Sequence, residues 1–413
     1  MVPAEYFYSL VYENYAKHPC CFYCPSSDPT KLKNLLDFED RAKNVIRASM
    51  PTYVMYDQEP LDIHAFDTYK DRMLHMVNPD QHHTLEQLEL GELLAWRLSV
   101  ADFPIWCHSE KHSDEIENLR KHQAIPCYYW YHAIIARDWF RYWQRYRNLL
   151  PTDKSRAPYR FLLYARDHTG SRAYRKDLVK GLESIKQTVL YNWQAAGSVD
   201  AGYSAKIEPS DAMQSGIHLV AETLFATNKI HLTEKIFKPM VMSQPFIVWG
   251  PPGTLAYLRD YGFQTFSHVW SESYDLESDH SRRMDMLLDL VKKIARMPQE
   301  RYSQLYKQCL PQIQHNRERF YSQSFMDDCW SELETNWERA ETERQALLDE
   351  FPGGQWINLL AKNHAMASQK INRAVVGILI AKLEDHRRDR VLAMHPQFTE
   401  LVWDSSRRPV PRS

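Results

Sequence analysis

The sequence contains little glycine and lacks the usual motifs for holding a phosphate or a metal ion. Only 12 of the 413 residues are glycine. No Gly-Lys-Ser or Gly-Lys-Thr segment occurs, which excludes a P-loop nucleotide site. No Asp-X-Asp segment occurs either, so we expect a site without a dedicated Mg²⁺ or Mn²⁺ clamp.

Long apolar segments and an excess of charge of one sign are also missing. The longest apolar run, residues 374–381, is too short to cross a bilayer, and residues 1–18 lack the features of a signal peptide. The formal net charge is −2, which excludes a global field that would attract the whole protein to nucleic acid or membrane. We therefore expect a cytoplasmic protein without a membrane span.

The seven cysteines indicate neither a disulfide framework nor a zinc site. Cys20, Cys21 and Cys24 lie close to His18, but no second Cys/His pair follows at zinc-ligand spacing. The other four cysteines are scattered singly. We therefore predict reduced thiols, no metal site and no cofactor.

Short apolar segments of strand length alternate with helical segments in two blocks. The predicted strands lie at 51–56, 102–108, 125–131, 159–166, 188–193, 217–225, 245–249 and 264–270. This alternation is typical of α/β domains with mostly parallel sheets. The chain is also longer than a single domain with one hydrophobic core usually is. We predict two Rossmann-like lobes facing a cleft, at 1–150 and 159–330, and a helical extension at 331–413 that ends in a basic tail.

Charged residues lie where predicted strands of the second block end. Glu222 follows an apolar strand, and Thr233-Glu234-Lys235 begins a predicted helix. Ligands of α/β folds bind at the carboxyl ends of the strands. A lysine at a helix start suits a diphosphate, Thr233 caps the helix or binds a ligand oxygen, and the carboxylates suit sugar hydroxyls. The alternative is a helix start with surface charges.

The loop after the first strand of this block is rich in arginine. Arg166, Arg172 and Arg175 lie in LLYARDHTGSRAYRKDL, and a guanidinium binds phosphate in a bidentate manner. The sequence does not choose among the three, and a solvated helix face is the alternative. Gly250 begins the turn after a later strand and completes the predicted donor site.

The first block contains candidates for the acceptor side of the site. Asp57 and Glu59 follow a predicted strand, where a carboxylate can act as a general base on an acceptor hydroxyl. Ser109, Glu110 and His132 end two further predicted strands, and Ser109 is also a candidate helix cap. The alternative for each of these three residues is a structural role.

Together these segments resemble glycosyltransferases of the two-lobed GT-B type, and most closely the α-1,3-fucosyltransferase-like group with its phage and viral relatives. The resemblance is carried by Glu222 in LVAETLF and by HLTEKIFKPMVMSQPFIVWGPPG. It implies that Glu222, Glu234 and Lys235 hold a nucleotide diphosphate sugar, with Lys235 on the diphosphate. It also implies that Glu59, or Asp57, is the base.

The resemblance covers residues 217–266 well, 159–180 and 53–61 in part, and nothing after 330. Gln58 stands where the group has serine, and Ala221-Glu222-Thr223 stands where it has Phe-Glu-Asn. The resemblance therefore does not identify the donor sugar.

The predicted function is metal-independent, inverting transfer of a sugar from a nucleotide diphosphate donor to an acceptor hydroxyl. For a phage-encoded enzyme in the host cytoplasm, the acceptor is a hydroxymethylated base in DNA; a surface glycan is the other candidate. The basic and aromatic segment at 137–147 and the basic C-terminal segments suit a phosphate backbone, or else form solvated surfaces. The alternative function is a non-catalytic nucleic-acid-binding or scaffold protein on a degenerate transferase fold, with the Glu222, Glu234 and Lys235 cluster buried in salt bridges.

Overall fold

The computed structural model describes residues 21–23, 52–55, 59–61, 103, 105–121, 124–146, 150–192, 206–350, 385–394, 396 and 399. Within these ranges the chain is an α/β protein with two parallel sheets and eleven α-helices. The alternating sequence pattern predicts this class correctly. Asp57, Cys20, Cys24, most of the predicted helix at 371–390 and the basic tail from 405 lie outside the described residues.

The first sheet has four described strands: β1 (Cys21–Tyr23), β2 (Thr52–Met55), β3 (Ile105–His108) and β4 (Ile125–Tyr128). They follow one another in chain order, and every neighbouring pair is parallel. Strands β3 and β4 are buried along their whole length, as continuous apolar strands of a parallel sheet usually are.

The second sheet contains β5 (Tyr159–Tyr164), β6 (Val189–Asn192), β7 (Ser215–Ala221) and β8 (Phe246–Trp249). Its order is β6-β5-β7-β8, again with every pair parallel. The chain moves from β5 outward to β6 and then returns to β7 on the other side of β5. This change of direction creates a switch point between β5 and β7, and ligands of such sheets bind at the carboxyl ends of these strands.

The helices of the described residues begin after β3 and continue beyond the last strand. They are α1 (Asp114–Lys121), α2 (Tyr131–Trp139), α3 (Tyr174–Leu182), α4 (Pro209–Gln214), α5 (Phe237–Met242), α6 (Thr254–Asp260), α7 (His280–Ala295), α8 (Gln299–Gln308), α9 (Leu310–Tyr321), α10 (Gln323–Glu350) and α11 (Asp385–Met394). No helix among the described residues is long and apolar enough to cross a membrane.

Some local predictions are wrong. The predicted strand at 264–270 is a turn, because the side chain of Asn316 bonds both main-chain groups of Gln264 at 2.7 Å. Ser109 does not cap a helix, since α1 begins only at Asp114. The chain stays extended after β3 because Lys111 pairs with Ile230 through two main-chain hydrogen bonds of 2.9 Å.

The chain divides into two compact units. One is formed by Ser109–Asp114 and Tyr129–Leu333 and contains the second sheet. The other takes in the first sheet and the described residues from Glu334 onward, so the boundary falls inside α10. Within that second unit, Asn336 Nδ2 donates to the main-chain oxygen of Tyr128 at 2.9 Å, which attaches α10 to the end of β4.

Trp130 anchors the site-bearing segment of the unit that holds the second sheet. Its ring is fully buried, and its centroid lies 5.1 Å from that of Phe237 and 4.6 Å from that of Tyr261. Trp130 Nε1 donates to the main-chain oxygen of Leu232 at 3.0 Å. Since aromatic pairs of this kind stabilise a core, Trp130 fixes the chain immediately before Thr233.

Candidate functional site

Glu222 follows β7 directly, at the switch point, and is fully buried. Its Oε2 accepts hydrogen bonds from Thr233 Oγ1 at 2.6 Å and from Thr233 N at 3.2 Å, whereas Oε1 has no hydrogen-bond partner. Burial raises the pKa of Glu222 despite the opposing effects of Lys235 and Thr233. A buried carboxylate oxygen without a partner is costly, so a ligand hydroxyl or a proton on Oε1 would stabilise it.

The segment Thr233-Glu234-Lys235 opens a short 3-10 turn, Glu234–Ile236, that continues into α5. Thr233 Oγ1 caps the turn by accepting from the main-chain N–H of Lys235. Lys235 Nζ donates to Thr233 Oγ1 and to Glu234 Oε1, each at 3.0 Å. The Lys235 side chain is 27% exposed and that of Glu234 only 6%, so Lys235 is the member of the pair that solvent reaches.

The pKa values of Glu234 and Glu222 are shifted in opposite directions although both residues are buried. Burial alone would raise the pKa of Glu234, but Lys235, His132 and Lys238 outweigh it and lower this pKa to about 2. Glu234 is therefore ionised at neutral pH, whereas Glu222 is shifted toward its protonated form. Two carboxyl groups whose pKa values are pushed apart are typical of sites where one group stays ionised and the other handles a proton.

The pH dependence of the unfolding free energy is expected to reflect the lowered pKa of Glu234. Because its folded pKa lies below the ordinary 4.5, its contribution is complete above pH 4.5 and is lost as the pH falls toward 2. The full contribution is roughly 3 kcal/mol. Urea unfolding of wild type and Glu234→Gln between pH 2.5 and 6 measures this, and the difference in stability should shrink in acid. A difference that stayed constant down to pH 2.5 would contradict the assignment.

Lys238 is a buried cation that sequence analysis missed. It lies in α5, all six residues of which are buried. Lys238 Nζ donates to the main-chain oxygen of Lys206 at 3.1 Å and lies 5.5 Å from the centre of the Tyr164 ring, where β5 ends. Burial lowers the pKa of Lys238 to about 8 although Glu234 acts in the opposite direction. The signal in the sequence is a lysine in an otherwise apolar segment, FKPMVM.

The three candidate arginines occupy different environments. Arg175 is buried on α3 and donates to the main-chain oxygens of Asp167, Ala221 and Glu222 at 2.8–3.0 Å. It therefore ties the loop after β5 to the end of β7. Arg172 Nη1 lies 3.5 Å from Asp167 Oδ2 with its side chain 26% exposed, and Arg166 is half-buried. Arg172 and Arg166 are the better placed of the three for an anionic ligand.

His132 and Glu110 lie close to residues of the segment 229–234. His132 lies in the first turn of α2 rather than at the end of a strand, and its Nδ1 is 3.7 Å from Glu234 Oε2. Glu110 is buried after β3, and its Oε1 is 3.9 Å from Lys229 Nζ. Both acceptor-side candidates thus contact the stretch that carries the donor-side candidates.

His231 links His132 to Ser109 and was not singled out from the sequence. Its ring is perpendicular to that of His132, with centroids 5.1 Å apart, and its Nδ1 is within hydrogen-bond distance of Ser109 Oγ at 3.3 Å. His231 is fully buried, and its Nε2 has no hydrogen-bond partner. Burial lowers the pKa of His231 well below its usual value, and His132 and Lys235 act in the same direction.

The remaining candidates are less informative. A side chain on Gly250 would bring a Cβ within 2.6 Å of Thr254 Oγ1, which donates to the main-chain oxygen of Pro251 at 2.7 Å. The close packing against Thr254 therefore explains the glycine at position 250 without a ligand. Glu59 is half-buried and belongs to the unit of the first sheet. No His, Cys, Asp and Glu group suited to a metal ion occurs within the described ranges.

The fold and the site define an α/β protein with a charged cluster at the switch point of its second parallel sheet. Comparison of the chain with protein-family models, with curated proteins and with solved structures gave no match.

Proposed function

We propose that the protein is a glycosyltransferase that moves a sugar from a nucleotide diphosphate donor to an acceptor hydroxyl. The observation that carries the proposal is the combination at the switch point of a partly exposed Lys235 with two buried carboxylates, Glu222 and Glu234. Cations are suited to a diphosphate, and carboxylates are suited to sugar and ribose hydroxyls. The resemblance of this segment to the α-1,3-fucosyltransferase-like group supports the same conclusion.

In this proposal the two parallel sheets are the cores of the two lobes of a GT-B-type enzyme. Negative charge develops on the diphosphate as its bond to the sugar breaks, and Lys235 with Arg172 or Arg166 stabilises it. Preorganised charges of this kind are among the largest contributions to catalysis. Transfer proceeds with inversion at the anomeric carbon. It needs no metal ion, because side-chain cations take the metal's place.

The acceptor we favour is a hydroxymethylated base in DNA, encountered in the cytoplasm of a phage-infected host, with a surface glycan as the other candidate. The supporting observation is the 3-10 helix Arg141–Tyr146. Tyr142 is 52% exposed, and the guanidinium carbons of Arg141 and Arg145 lie 4.4 and 5.9 Å from its ring centre. Exposed aromatic rings with adjacent arginines are typical of surfaces that bind nucleic-acid strands.

A second candidate function is a non-catalytic nucleic-acid-binding or scaffold protein on a degenerate transferase fold. It is favoured by the burial of both carboxylates and by the ion pair between Glu234 and Lys235. In that case the cluster stabilises the fold and binds no donor. The two functions are separated by whether any nucleotide binds at Lys235.

The proposal is tested by thermal unfolding with UDP, GDP, CDP, ADP and their common sugars, each at millimolar concentration. A ligand at 100 times its Kd stabilises by about 2.7 kcal/mol, which corresponds to a rise in Tm of roughly 3 °C for a chain of this length. We expect such a rise with one nucleotide and not with diphosphate or free sugar alone. If no nucleotide raises the Tm, the non-catalytic function is supported instead.

A further inference from the structure

The hydroxyl group of Thr233 joins an ammonium group to a buried carboxyl group at the switch point. Thr233 Oγ1 donates to Glu222 Oε2 at 2.6 Å and accepts from Lys235 Nζ at 3.0 Å. The charge of Lys235 therefore acts on Glu222 across one shared hydroxyl. Glu222 is 0% exposed, whereas the Lys235 side chain is 27% exposed. A ligand that reaches Lys235 can therefore influence a carboxyl group that it does not touch.

The two carboxyl oxygens of Glu222 have different environments. Oε2 accepts from the hydroxyl and from the main-chain N–H of Thr233, at 2.6 and 3.2 Å, whereas the buried Oε1 has no hydrogen-bond partner. A ligand hydroxyl would need an opening to Oε1, but a proton needs none. A neutral carboxyl group also costs less to bury than a charged one. Oε1 is therefore the oxygen on which Glu222 can carry a proton.

We propose that Glu222 takes up a proton on Oε1 when a nucleotide diphosphate sugar binds at Lys235, so that donor binding is coupled to proton uptake. This inference rests on the proposed function and adds to it a regulation of donor binding by pH. The proton comes from solvent and forms an O–H bond with Oε1. It returns to solvent when the product nucleotide leaves, and no other covalent bond changes in this step.

The charged and titratable groups around Glu222 come from two elements. Lys235 and Glu234 lie in the turn that leads to α5, whereas Tyr174 and Arg175 lie on α3 and donate to the main-chain oxygen of Glu222. Burial and Glu234 raise the pKa of Glu222, and Lys235 is the group that most opposes them. Ionisation of Glu222 therefore depends on the positive charge of Lys235.

Donor binding removes that opposition. The ammonium group of Lys235 exchanges Thr233 and Glu234 for the diphosphate, which brings negative charge close to Glu222. Loss of an opposite charge and gain of a like charge both raise the pKa of a carboxyl group. Because the pKa of Glu222 is then higher in the complex than in the free protein, donor affinity is greatest in acid. It falls as the pH rises from the free value to the bound value.

Isothermal titration calorimetry of the full chain measures affinity and proton uptake from pH 5 to 9. The ligand is the nucleotide sugar that gives the largest Tm rise, because its diphosphate lacks the terminal phosphate proton that titrates near pH 6. Pairs of buffers with different ionisation enthalpies, such as Hepes and Tris, give the number of protons taken up. We expect uptake that approaches one proton at intermediate pH. The Kd should rise by about 10–10³-fold across the range, since one neighbouring charge changes a carboxyl pKa by about 1–3.

Glu222→Gln is the variant that identifies the group, because an amide resembles a protonated carboxyl group. It keeps an acceptor for Thr233 and has no proton that titrates in this range. We expect the Kd of this variant to be independent of pH and its proton uptake to be absent. Glu300→Gln, exposed in the first turn of α8, is the matched control and should retain the uptake of wild type.

A pair of variants at Thr233 tests the shared hydroxyl and leaves the carboxyl group unchanged. Thr233→Ser keeps the hydroxyl and should keep the proton uptake. Thr233→Val removes the 2.6 Å hydrogen bond to Glu222 Oε2, which raises the pKa of Glu222 already in the free protein, so the uptake on binding should decrease. Equal uptake in the two variants would overturn the coupling through Thr233.

The outcomes separate the inference from the function on which it rests. If the nucleotide sugar binds to wild type without proton uptake at any pH in this range, the inference is overturned and the transferase function stands. Uptake that persists in Glu222→Gln would place the proton on another group and would also overturn the inference. If neither a nucleotide nor a nucleotide sugar binds, the function and the inference fail together.

Discussion

Lys235→Ala is expected to reduce the turnover of sugar transfer by about 10²-fold or more, the effect of removing one preorganised group that stabilises developing negative charge. Lys235 is the part-exposed cation of the switch-point cluster, with Nζ 3.0 Å from both Thr233 Oγ1 and Glu234 Oε1. On donor binding, Nζ would exchange these contacts for the diphosphate. Its removal therefore affects the leaving group directly.

The measurement is kcat with the nucleotide sugar identified by thermal unfolding, together with the Tm of each variant with and without nucleotide. Lys180→Ala, an exposed lysine on α3, is the matched control and should behave as wild type. Lys235→Arg keeps the positive charge and should retain more activity than alanine. An alanine variant with near-normal turnover would show that the diphosphate lies elsewhere.

Arg175→Ala is expected to produce the largest loss of stability, about 3–5 kcal/mol, because it removes three hydrogen bonds that one buried guanidinium donates to main-chain oxygens. In the folded protein these are the oxygens of Asp167, Ala221 and Glu222, all bonded by one guanidinium. The Tm should fall by roughly 3–6 °C for a chain of this length.

Arg172→Ala is the matched control, since Arg172 is partly exposed and paired with Asp167 at 3.5 Å. Its loss should cost about 0–1 kcal/mol but should weaken nucleotide binding. Urea and thermal unfolding of both variants, each with and without nucleotide, measure the two effects. If the two variants lost stability equally, Arg175 would not be the residue that holds the ends of β5 and β7 together.

The sequence predicts the class of fold because the pattern of apolar strands and helices is local. Strands such as β5 and β8 are short apolar segments between polar turns, and Gly262, with φ of 80°, follows the end of α6 as its position after that helix predicts. The predicted strand at 264–270 fails because a distant side chain, Asn316, bonds Gln264. No local pattern records such a contact.

The donor-side candidates are predictable because they lie directly after a predicted strand or at the start of a predicted helix. Glu222 directly follows β7, and Thr233 begins the turn that leads to α5. The approach of His132 and Ser109 to this segment depends on α2 and on the pairing of Lys111 with Ile230. These contacts join residues about 100 or more positions apart, so a single sequence does not predict them.

The division of the chain also has a consequence for synthesis on the ribosome. The unit with the second sheet takes Ser109–Asp114 from one side of β4 and Tyr129–Leu333 from the other, and the first sheet shares its unit with residues after Glu334. Neither unit is therefore complete until translation has passed residue 333. Folding must close long loops at a late stage, which slows it, and a fragment that begins at 150 would lack Trp130 and the Ser109 segment.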